Sequence, residues 1–113
     1  MKYKNTLQRG SVRFITFREG DTWYGVCLEF NIVESGSTPR EAFILLAEAV
    51  QGYLESARKI KARPHILNQK SDREYEELWL ASQESDHHKK PSSVYMSGYL
   101  NIGRTVSRTL VPA

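Results

Sequence analysis

The sequence predicts an α+β fold: an antiparallel β-β-β-α unit followed by a C-terminal extension with a further helix and strand. Three observations carry this. Residues 11–30 alternate apolar and polar around a Glu19-Gly20-Asp21 turn, the pattern of a β-hairpin. Ser37-Thr38-Pro39-Arg40-Glu41 has the form of a helix start, and the apolar spacing after it is helical. The last third of the chain repeats both signals more weakly, with a second capping sequence at Ser71-Asp72-Arg73-Glu74.

Taken in order, residues 1–10 read as a polar arm. Ser11–Arg18 reads as a strand with Val12, Phe14 and Thr16 on one face and Arg13, Ile15 and Phe17 on the other. Thr22–Phe30 reads as its hairpin partner, and Asn31–Ser35 as a short third strand. In the helix predicted over 39–59, Thr38 is the N-cap, Pro39 occupies the position where a missing N–H costs nothing, and Glu41 is the reciprocal partner. Phe43, Leu46, Val50, Tyr53, Leu54 and Ala57 form its apolar face, and Arg58 and Lys59 suit the negative end of its dipole. Gly52, in mid-helix, marks an expected close backbone approach. His65-Ile66-Leu67 is expected to add a brief strand. A helix near 72–84, a linker over 85–93 and a strand over 94–102 follow, although Gly98 interrupts the apolar face of that strand. The natural division is a β-β-β-α(-β) domain over 1–67 and an extension over 68–113.

Composition narrows the function. At 113 residues, 40% hydrophobic and 26% charged, the chain has the balance of an ordinary globular domain. No apolar run approaches the ~20 residues of a membrane span, and no signal-peptide pattern opens the chain. Cys27 is the single cysteine, so no internal disulfide forms and a reducing cytoplasm is the expected compartment. The net charge of +3 is unevenly spread. Residues 1–18 hold five bases and no acid, residues 19–59 hold seven acids against three bases, and only bases follow Asp86. Lys89, Lys90, Arg104 and Arg108 are therefore candidate nucleic-acid contacts.

No catalytic constellation stands out. Asp21, Glu29 and Glu34 could in principle hold Mg²⁺ for a minimal nuclease, but the first strand carries no acid and Asp21 lies in a turn. His87 and His88 sit beside two lysines with no ligand spacing around them, and His65 stands alone. Cys27 has the surroundings of a packing residue. The strand aromatics Phe14, Phe17, Trp23 and Tyr24 suit cross-strand packing better than base stacking. No catalytic, cofactor-binding or metal-binding residues are assigned, and no cofactor is expected.

Trp23–Phe30, then Ser35-Gly36-Ser37-Thr38-Pro39-Arg40-Glu41-Ala42, then a helix through Gly52-Tyr53-Leu54-Glu55, resembles the HicB-like antitoxin family. Gly36, Thr38, Glu41, Ala42 and the pair Tyr24-Gly25 carry the likeness, which covers roughly residues 11–59. The resemblance implies a truncated ribonuclease-H-like fold without catalysis. It also implies a type II toxin–antitoxin role, in which a small basic, HicA-like toxin that cleaves mRNA is bound and neutralised. Family members usually add a C-terminal DNA-binding segment and repress their own operon. This chain departs there: residues 93–113 have room for a strand only, and residues 60–92 offer one clear helix instead of two. DNA is accordingly a secondary expectation.

The expected partner surface is acidic. The helix near 72–84 and its flank carry Asp72, Glu74, Glu76, Glu77, Glu84 and Asp86 against Arg73 alone, with Glu74 and Glu77 as leading contacts. Asp21, Trp23, Glu29 and Glu34 form a second set around the hairpin. Two alternatives stand beside toxin capture: the minimal nuclease, and an orphan homodimer or larger homo-oligomer whose tail strand, Val94–Ile102, pairs with a neighbouring copy.

Overall fold

In the computed structural model, which describes residues 4–83 and 94–102, the alternating stretches become a four-stranded antiparallel sheet. Strands β1 (Ser11–Glu19), β2 (Thr22–Cys27) and β3 (Ile32–Gly36) run as a meander into α1 (Pro39–Lys59). A 3-10 turn (Pro64–Leu67), α2 (Arg73–Gln83) and β4 (Val94–Asn101) complete the order. The strands lie in the sequence β3-β2-β1-β4, so β1 has a partner on each side. Among the described residues, no helix is long and apolar enough to cross a membrane.

Period-two alternation sends the side chains of β1 to opposite faces, and each face has its own helix. Val12 and Phe14 join Cys27, Phe30, Leu46, Val50, Leu54, Leu67 and Ile102 on the α1 side. Ile15 and Phe17 join Val26, Leu28 and Trp79 on the α2 side. The result is a sheet between two helices, with β1 buried on both faces.

The start of α1 follows the capping logic with one shift. Glu41 N–H donates to Thr38 Oγ1 at 3.0 Å, as an N-cap requires. The Glu41 carboxylate accepts from Ser37 N–H at 2.7 Å and Ser37 Oγ at 2.8 Å, so the reciprocal half closes on the residue before the cap. Those two donors also hold the Glu41 carboxyl below its ordinary range.

Several local expectations change. The second strand stops at Cys27 instead of Phe30, because Asn31 adopts a left-handed φ of 55° and its N–H closes a turn on Leu28 O at 3.2 Å. His65-Ile66-Leu67 is a 3-10 turn, not a strand, and its carbonyls are taken locally and by side chains instead of by a neighbouring strand: Asn68 N–H donates to His65 O at 3.2 Å. Tyr53 O–H donates to Ile66 O at 2.8 Å, Asn5 Nδ2 to Leu67 O at 3.0 Å, and Asn68 Nδ2 to Pro64 O at 2.8 Å. The N-terminal arm is likewise anchored: Asn5 is fully buried, its N–H meets Asn68 Oδ1 at 2.9 Å, and its Oδ1 accepts from Ser11 N–H at 3.0 Å. The tail strand pairs antiparallel with β1 of its own chain, from Ser11↔Asn101 to Phe17↔Val94, with one register shift between Thr16 and Phe17. Gly98 lies opposite Phe14, whose ring fills the place of a side chain; a Cβ there would stand 3.0 Å from Phe14 Cε1. The linker expected over 85–93 falls outside the described residues.

The close approach expected at Gly52 occurs at Gly25 and Gly36 instead. A Cβ on Gly25 would meet Ala42 O at 2.9 Å, and one on Gly36 would meet Ala42 N at 2.9 Å. A Cβ on Gly52 would meet nothing within 4 Å beyond its own turn of helix. Alanine at position 52 is therefore expected to stabilise the protein by about 0.5–1 kcal/mol through helix propensity alone, read as a raised thermal midpoint. An unchanged or lowered midpoint would contradict this account.

Candidate functional site

The sheet face under α2 holds two neighbouring sets of charges with different roles. The first is built on Arg13. Its backbone N–H donates to Glu29 Oε1 at 2.8 Å and its Nε to Glu29 Oε2 at 2.6 Å. Its two terminal nitrogens grip Glu76 of α2 in a fork, at 2.9 and 2.8 Å. Ser71 Oγ donates to Glu76 Oε2 at 2.6 Å, and the guanidinium carbon lies 5.6 Å from the centre of the Trp79 ring. Hydrogen bonding from Arg13, opposed by desolvation and helped by Ser71, holds the Glu76 carboxyl below its ordinary range. The fork to Glu76 raises the Arg13 pKa further still, so the guanidinium stays charged. This network fastens α2 to β1, with the donors and acceptors satisfied inside the protein.

The second set faces outward. Phe17, Arg18, Glu19, Glu74, Glu77 and Leu78 line a groove of about 370 Å³ between the end of β1 and the first turns of α2. Glu19, Glu74 and Glu77 are all exposed. Of these three, only Glu77 has an ion pair within the described residues, an open i,i+4 contact to Arg73 at 3.2 Å. Such a pair contributes ~0.3–0.5 kcal/mol and is readily exchanged for another cation. Tyr75, packed on Phe17 with ring centroids 6.2 Å apart, registers the local field. Burial raises its phenol pKa first, and Glu74, Asp72 and Glu19 raise it further. The groove thus combines an apolar floor with a negative rim.

The expected partner residues are distributed over four places. Glu74 and Glu77 meet in this groove. Glu29 turns inward, both its oxygens taken by Arg13. Asp21 stands exposed at the hairpin tip. Trp23 and Glu34 lie on the α1 side of the sheet, paired in register with Gly36 and Gly25. Lys89, Lys90, Arg104 and Arg108 fall outside the described residues. Among the described residues, no three His, Cys, Asp or Glu side chains form a set that could hold a metal ion.

Glu19 is the contributor that sequence reasoning passed over. The signal was present: alternation along Arg13, Ile15, Phe17 and Glu19 puts all four on one face. Cys27 is fully buried, and desolvation pushes its thiol up to about 12. It is a packing residue of the core.

No family model, curated protein or solved structure matches this chain.

Proposed function

We propose that this chain is a non-catalytic capture protein that binds a small basic partner through the groove beside α2, in the manner of a HicB-like antitoxin neutralising an mRNA-cleaving toxin. One observation carries the reading: Glu19, Glu74 and Glu77, drawn from two elements, line a single groove with Phe17 and Leu78 beneath them. An RNA-cleaving toxin needs cations where RNA phosphates bind. A negative rim over an apolar floor covers such a surface and speeds the encounter.

The likeness at Gly36, Thr38, Glu41 and Ala42 supports the reading through architecture. Those residues set how α1 caps and how closely it packs, and none of them lines the acidic groove. The nuclease alternative gains nothing from the arrangement, since Asp21, Glu29 and Glu34 sit at the hairpin tip, inside the Arg13 network and on the opposite sheet face.

The test is co-purification with the small basic protein encoded by the adjacent reading frame, followed by the double substitution Glu74→Lys/Glu77→Lys. Both positions are exposed, so the variant should fold. Affinity is expected to fall more than tenfold, mostly through a slower association rate, and the salt dependence should flatten. A neighbouring frame encoding no basic protein, or binding that ignores the double substitution, would remove the proposal.

A further inference from the structure

A second groove lies on the other side of the sheet, beside the start of α1. It has a volume of about 550 Å³ and is lined by Thr38, Pro39, Arg40, Phe43, Tyr95 and Met96, with no carboxylate among them. Phe43 is braced by Phe14, ring centroids 5.1 Å apart. Tyr95 is 63% exposed and stands edge-on to Trp23, with centroids 5.6 Å apart and planes at 79°. The Arg18 guanidinium lies 5.7 Å from the centre of the same Trp23 ring. Among the described residues neither Arg18 nor Arg40 is ion-paired.

A backbone irregularity puts Tyr95 there. Strict alternation along β4 would send Tyr95 and Met96 to opposite faces. The β1–β4 register slips between Thr16 and Phe17, and both residues line the groove. Bulges of this kind re-aim a side chain at the cost of local pairing. Here the re-aimed side chain is a large ring left mostly in water, which core packing does not explain.

Exposed ring faces, unpaired cations and no acid on the walls fit one ligand chemistry better than others. An acidic peptide would use the arginines and leave the rings idle, whereas an apolar peptide would leave the arginines idle. A planar base carried on a phosphodiester uses both. We propose that this groove binds single-stranded nucleic acid, a base stacking on Tyr95 while Arg40 and Arg18 take the flanking phosphates. Bases in a duplex are already stacked on one another and cannot occupy it. The proposal concerns the α1 side of the sheet and stands apart from partner capture at the acidic groove, although Arg18 lines that acidic groove and reaches this side through Trp23, which contacts Tyr95.

The test is fluorescence anisotropy of a labelled oligouridylate titrated with the full chain at low salt. Tyr95→Ala should weaken binding about tenfold, the loss of one base–aromatic stack, while Tyr95→Phe keeps the affinity. Arg40→Gln should weaken it too and lower the log–log salt slope by about 0.7, the value of one phosphate contact on a single strand. Lys89→Gln/Lys90→Gln should leave the Tyr95 effect intact. The proposal fails if the chain does not bind, if duplex RNA binds as well as the single strand, or if Tyr95→Ala retains full affinity.

Discussion

Replacing Arg13 with alanine is expected to destabilise the fold by about 2–3 kcal/mol. The substitution leaves two carboxylates, Glu29 and Glu76, facing each other across the space that the guanidinium filled. It also strips the Trp79 ring of its cation. The side chains of Arg13, Glu29 and Glu76 are 22%, 15% and 35% exposed, so water relieves part of the penalty and the loss falls below that of a sealed pair. Chemical denaturation measures it, and the partner substitution Glu76→Gln in the alanine background should recover part of it. A loss under half a kilocalorie would show that the network orders the surface without holding α2.

The same network sets an acid limit. The Glu76 carboxyl is depressed in the folded state, so its contribution is complete above the carboxylate's unfolded pKa and is lost as pH falls through the folded one. The wild-type stability curve should therefore decline on acidification, and the decline should be shallower in Arg13→Ala.

Gly25→Val is expected to cost about 2–3 kcal/mol. Strand propensity alone argues the other way, since valine is favoured over glycine in a sheet by up to ~1 kcal/mol. The clash wins because the neighbour is backbone: a Cβ at 25 stands 2.9 Å from Ala42 O and 3.1 Å from Leu46 Cβ, and α1 must lift to make room. Lifting α1 opens the cluster of Leu46, Val50 and Leu54 against the sheet. Thermal unfolding reads the loss directly, and a stabilised Gly25→Val protein would show that the helix tolerates displacement.

These positions also show what can be read from sequence here. The hairpin and α1 are local objects, written in alternation and capping, and α1 falls on Pro39–Lys59 as the sequence predicts. Which glycine meets a neighbour is a tertiary fact. Gly52 looks the more suspicious in sequence because it sits mid-helix, yet the packed positions are Gly25 and Gly36, where α1 descends on the sheet. Asn5 reads as an arm residue because its partners at 67 and 68 are more than sixty residues away. Glu74 and Glu77 are visible as an acidic helix face. Glu29 looks equally available, and only the pairing of β1 with its neighbours shows that Arg13 has claimed it. Tyr95 escapes for a subtler reason, since a one-residue slip in register is not encoded in alternation.

The placement of β4 beside β1 carries a consequence for biogenesis. Thr16 and Met96 are eighty positions apart, yet the Thr16 hydroxyl donates to the Met96 carbonyl at 3.4 Å. During translation the meander and α1 can assemble as soon as they emerge, while the other side of β1 stays bare until β4 arrives. For that interval the nascent polypeptide shows an unpaired β-edge flanked by Ile15 and Phe17, the kind of template that recruits other strands. The interval closes when β4 seats, which makes that strand a protection against aggregation.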